Sequence, residues 1–344
     1  MNNLRGFLWS MGRSGTKAII ETINDHTDAD QLSWVDTPRF IEAPGYFFSL
    51  YPRPFGLTLH VAHHTAQYET MLRQRRSTPV IFAVRDPIPH LKSYARVFLN
   101  SYIGRRIDGI IAHTRAGNTV VDSINPVALE KEHLPTIDYW RHWNTIKHSP
   151  NKIVDFSDLR ESRFVETMTE VCDLFGLQIK RPINWAGIAN TESDSFIINY
   201  MREFPILGRK FNLRFTRWNS LWSEPGLVTL GTLRSSLLDG MIGPGGSLYV
   251  QAKAEHLLTY GGIEREREAM STSLNDQETR DNFAAVILED YNAVSNLVNN
   301  ELETFQNILI KQYELMYRDG IDRFLREHPA LREKWSRAAV QKAA

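Results

Sequence analysis

Apolar runs of strand length alternate with helical patterns over the first 180 residues, and this constrains the fold more than any other feature of the chain. A run such as Val80-Ile81-Phe82-Ala83-Val84 has no polar face, so as a strand it must be covered on both sides. Repeated strand–helix alternation then implies βαβ units around a parallel sheet. We expect strands near Gly6–Trp9, Leu57–Ala62, Val80–Val84 and Lys152–Phe156, with helices starting at Thr16 and Ile88 and a third over Arg163–Phe175. Gly176 should stop that third helix, because glycine tolerates the left-handed conformation of a helix end.

Length allows about two domains in 344 residues. We place an α/β core at 1–182 and a helix-rich C-terminal extension at 183–344, completing an acceptor site and offering an oligomer interface. From Arg280 to about Phe324, Tyr291, Val294, Val298, Leu302, Phe305, Leu309, Gln312 and Met316 recur at steps of three and four. That stripe suits a helix packed on its own domain or one that pairs with a second copy.

Charge and cysteine usage exclude some functions. The 40 Lys plus Arg residues balance 40 Asp plus Glu, which argues against a nucleic-acid binder. With a single cysteine, Cys172, neither an internal disulfide nor a Cys-based zinc cage can form. The start has no long apolar signal segment and no later stretch is apolar enough to span a membrane, so a soluble cytoplasmic protein is expected.

Chemistry concentrates in the segment Gly6-Phe7-Leu8-Trp9-Ser10-Met11-Gly12-Arg13-Ser14-Gly15-Thr16-Lys17. A strand, a small-residue turn with a cation, and a helix start converge backbone N–H groups on one point, which suits a phosphate or sulfate. A Walker A loop needs Gly-Lys-Ser/Thr, but Gly15 is followed by Thr16 and only then Lys17. Packing alone could also account for the glycines. A second segment, Pro79 to Pro87, is a strand ending in Arg85-Asp86-Pro87, with Ser93 on the following helix. In a parallel sheet Arg85 and the Arg13 loop share the carboxyl edge, where α/β folds bind ligands. Singly, Arg85 could be an ordinary ion-pair residue and Ser93 a surface serine.

Together these segments resemble the sulfotransferases that use 3′-phosphoadenosine 5′-phosphosulfate (PAPS). Arg13-Ser14-Gly15-Thr16 is similar to that family's 5′-phosphosulfate loop, and Arg85, Asp86, Pro87 and Ser93 to its 3′-phosphate motif. Lys152-Ile153-Val154-Asp155-Phe156-Ser157-Asp158-Leu159 resembles a further family strand, with Ser157 replacing the usual Glu. The resemblance implies a P-loop-like sulfotransferase fold and binding of PAPS by Arg13, Ser14, Gly15, Thr16, Lys17, Arg85 and Ser93, with no metal required. It also implies transfer of a sulfuryl group to an acceptor hydroxyl, with Arg13 neutralising the leaving oxygens.

For the base, the chain offers His60, His63 and His64 at the end of the second strand. Imidazole suits proton removal at neutral pH. The resemblance favours His63, 22 residues before Arg85, with His64 second and Glu42 a remoter candidate. A structural role is the next reading of such a cluster, and a divalent metal, which would need a further ligand that spacing does not identify, comes behind both. The aromatic segment from Pro44 to Phe55 could wall an acceptor, with a carbohydrate favoured. Arg209, Lys210 and Arg214 suit a solvated basic face or a substitute for a basic lid. Two rivals remain: a nucleotide-dependent kinase of related fold, and a non-catalytic nucleotide-binding protein.

Overall fold

A computed structural model describes residues 4–10, 14–29, 55–60, 76–125, 134–184, 196, 200–206, 209–216, 227–255, 257 and 262–343. The chain divides into two compact units that interleave in sequence: Met1–Tyr94, Asn125–Ile188 and Ile308–Ala344 form the first, and Ala95–Ile124 with Ala189–Asn307 the second.

The first unit is α/β. Strands β1 (Leu4–Ser10), β2 (Phe55–His60), β3 (Val80–Val84) and β4 (Asn151–Asp155) form one sheet in the order β2-β1-β3-β4. Every pairing is parallel. Helix α1 (Thr16–His26) follows β1, and α2 (Pro87–Gly104) follows β3. Helix α3 (Ile107–Arg115) belongs to the second unit, and the first unit continues with α4 (Tyr139–Ile146), β4 and α5 (Glu161–Phe175).

Side-chain alternation explains how the sheet is covered. Leu8, Ile81, Ala83 and Val154 bury one face against Ile19 and Ile23 of α1 and Met168, Val171 and Phe175 of α5. The odd positions of β1 face the other way, where Trp9 lies 5.9 Å from the His142 ring. Phe82 there meets Phe324 at 6.0 Å. All five residues of β3 are inaccessible to solvent, as an apolar central strand requires. Gly176 closes α5 at φ 61°, in the left-handed region.

The second unit carries a four-stranded antiparallel sheet in the order β5-β6-β8-β7, built from β5 (Met201–Ile206), β6 (Arg209–Thr216), β7 (Leu227–Leu233) and β8 (Leu248–Lys253). Helix α6 (Ile263–Asn275) follows, and then α7 (Gln277–Glu327), 51 residues long. Asp290 of α7 accepts hydrogen bonds from Tyr200 and from Arg202 of β5. Phe305 stacks on Phe98 at 5.3 Å.

Residues 183–344 hold the antiparallel sheet as well as the long helices, and the end of α7 and α8 (Pro329–Ala343) group with the parallel sheet. Packing supplies the reason: Phe324 and Trp335 are buried against Tyr139, with ring centroids 5.5 Å and 5.8 Å away. The apolar stripe of α7 is covered within the chain, since Val294, Val298, Phe305 and Leu309 are buried. Beyond Leu309 the next buried position is Tyr313, not Gln312, while Met316 is exposed. Among the described residues, no helix is long and apolar enough to cross a membrane.

Candidate functional site

Register puts the chemistry at one edge of the sheet. His60, Ser10, Ala83 and Val154 lie on one line across β2, β1, β3 and β4. The turn after Ser10 and Arg85 after Val84 therefore leave the same carboxyl edge on neighbouring strands. The chain runs from β1 to its neighbour β2 on one side and from β3 to β4 on the other. Connections that diverge from adjacent strands open a crevice between them, where open α/β sheets accept ligands.

Small hydroxylated residues flank the turn after β1. Ser10 Oγ lies 3.1 Å from Ser14 Oγ and bonds the Thr16 hydroxyl. All three residues are buried. Gly15 caps α1 at φ 91°, and having no side chain it places no cap over the first-turn amides. A Cβ on Gly15 would sit 2.3 Å from Leu159 Cδ1, so glycine is required by backbone and packing alike. The positive end of an eleven-residue helix attracts an anion.

On β3, Arg85 sets its guanidinium 4.3 Å from the centre of the Phe156 ring. Burial lowers its pKa, nearby Arg160 adds to this, and Tyr139, Asp86 and Asp155 oppose it. A partly desolvated cation binds an anion more strongly than one in bulk water. Asp86 accepts from Ile88 N–H at 3.1 Å and so caps α2. The Tyr139 hydroxyl donates to the Arg85 carbonyl and stands 3.2 Å from His90 Nδ1. One hydroxyl proton cannot serve both, so Nδ1 of His90 carries hydrogen and donates to Tyr139. Ser93 is half-buried in the second turn of α2.

A third element joins these two. Beyond β4, Asp155 is 4% exposed and caps the 3₁₀ turn Phe156–Leu159, accepting from Ser157 N–H at 2.7 Å and from the Ser157 hydroxyl. Ser157, which departs from the resembled motif, is thus the residue whose N–H and hydroxyl the Asp155 cap accepts here. The same turn holds Phe156 under Arg85 and Leu159 against Gly15.

Of the residues singled out from sequence, the structure brings Ser14, Gly15, Thr16 and Arg85 to one edge. Arg13, Glu42, His63, His64 and the aromatic segment 44–54 lie outside the described residues, and for Lys17 and β2 with His60 the backbone alone is described. Arg214 is not part of a solvated face; it is 6% exposed in β6. Sequence reasoning missed Tyr139, Phe156, Lys334 and Trp335. For Tyr139 the signal was available, since Asp138 caps α4 through Arg141 N–H at 3.1 Å and an Asp-Tyr pair opens an amphipathic run.

No protein-family model matches the chain, and a comparison with curated proteins finds no match.

Proposed function

We propose that the chain is a PAPS-dependent sulfotransferase of the P-loop-like α/β type, moving a sulfuryl group to an acceptor hydroxyl, with a carbohydrate as the favoured acceptor. One observation carries the reading: an uncapped helix N-terminus beside three hydroxyls and a partly desolvated arginine leave adjacent strands at the same edge. Their donors suit two anionic groups on one small molecule. In this reading Ser14, Gly15, Thr16 and Lys17 hold the 5′-phosphosulfate, and Arg85 with Ser93 holds the 3′-phosphate.

The acceptor oxygen attacks sulfur, the bond from sulfur to the phosphate oxygen breaks, and the hydroxyl proton passes to the His63 imidazole, with His64 as the alternative base. Negative charge gathers on the leaving phosphate, where Arg13 and the helix end oppose it. Positioning and charge stabilisation then supply most of the acceleration.

The test incubates the full chain with PAPS labelled in its sulfuryl group and a panel of glycans, lipids and phenols. Label on a hydroxylated acceptor supports the reading. Binding of 3′-phosphoadenosine 5′-phosphate with no transfer to any acceptor favours a non-catalytic binding protein, and phosphate transfer from ATP favours a kinase.

A further inference from the structure

We propose that the C-terminal helix α8 is a positioning element of the anion site, acting through Asp155 and the Phe156–Leu159 turn; this rests on the site assignment above. Trp335 is buried and donates its Nε1–H to Asp155 Oδ2 at 2.5 Å. Lys334 adds a second hold, with its Nζ 2.6 Å from Asp158 Oδ1 and 3.6 Å from Asp155 Oδ1. Arg163 Nη1 reaches the same Asp158 oxygen at 2.9 Å. The turn is therefore held through its cap, Asp155, and its third residue, Asp158, by charged or hydrogen-bonded partners, two of them from α8.

What the turn touches gives the grip its consequence. Its first residue, Phe156, carries Arg85, and its last, Leu159, seals against Gly15 at the start of α1. A buried carboxylate left short of a donor shifts to regain one. Any such shift of Asp155 moves its turn, and with it the platform under Arg85 and the packing of the helix end. The contacts of Trp335 and Lys334 with this turn run to Asp155 and Asp158, so their role is positioning through those two carboxylates.

Two variants of the full chain test this, Trp335→Phe, which keeps a ring but removes the donor, and Lys334→Met. Val171→Ala, a buried position in the helix core, serves as a control for general loosening. Amide hydrogen exchange and calorimetric affinity for 3′-phosphoadenosine 5′-phosphate are measured together. We expect faster exchange in 155–160 and at the start of α1, with β3 still protected. Affinity should fall several-fold in Trp335→Phe, with about tenfold as the ceiling set by the worth of the internal hydrogen bond removed, and less in Lys334→Met. Val171→Ala should keep its affinity despite a lower melting temperature.

Unchanged exchange and affinity in a folded Trp335→Phe chain would overturn the proposal, as would an equal affinity loss in Val171→Ala. If Trp335→Phe does not fold, Lys334→Met decides by the same two readouts. Loosening of 155–160 and α1 in a chain that binds no 3′-phosphoadenosine 5′-phosphate at all would uphold the positioning link and reject the nucleotide assignment instead.

Discussion

Replacing Gly15 with alanine attacks the site at the point where backbone conformation and packing coincide. At φ 91° an L-residue carries a cost of roughly 1–2 kcal/mol. The added Cβ meets Leu159 Cδ1 at 2.3 Å and Phe156 Cδ2 at 3.2 Å. Leu159 is fully buried and has no solvent to swing into, so relief requires moving the turn. Overpacking of this kind costs roughly 1–3 kcal/mol, for a total of about 3 kcal/mol. In a domain of about 150–250 residues, that lowers the melting temperature by roughly 10 °C.

Thermal melting followed by circular dichroism measures the loss. Gly109→Ala supplies a matched contrast: this glycine is exposed inside α3, and a Cβ there meets nothing within 4 Å. Helix propensity alone then predicts a gain of about 0.5–1 kcal/mol. A Gly15→Ala protein melting within about 2 °C of the wild type would refute both the left-handed cap and its packing against Leu159.

Tyr139→Phe removes the hydroxyl that bonds the Arg85 carbonyl and His90 Nδ1 in a buried setting, and should cost about 2 kcal/mol in urea denaturation. Arg85→Met should weaken binding of 3′-phosphoadenosine 5′-phosphate at least tenfold, roughly the worth of a charge-assisted bond, while circular dichroism stays unchanged. Burial beside Trp143 and Phe324 lowers the pKa of His328, an effect Glu327 opposes. The folded chain therefore takes up this proton less readily than the unfolded one, so its contribution to stability is complete above the ordinary histidine pKa of about 6.5 and is lost as pH falls below it. Against His328→Phe, wild-type melting temperatures should drop further between about pH 7 and pH 5.

Much of the first unit is legible in the sequence because its signals are local. The apolar run Val80–Val84 has the same limits as β3, Thr16 opens α1, and Gly176 ends α5. Those boundaries follow from burial on both faces and from glycine chemistry, which neighbouring residues encode. The antiparallel sheet is less legible. Strand β5 contains Pro205 and Arg202, β7 contains Gly231 at a register shift, and their pairing is decided by partners distant in sequence. At the site, Gly15 and Arg85 stand out by spacing. The grip of Trp335 on Asp155 does not, since it spans 180 residues and no periodicity marks it.

Calorimetric titration of the full chain with 3′-phosphoadenosine 5′-phosphate, repeated in the presence of ATP and magnesium, addresses the assignment of the carboxyl-edge crevice most directly. Saturable binding that ATP does not displace is the expected result. Tight binding of ATP with magnesium, and no heat from the bisphosphorylated nucleotide, would contradict it.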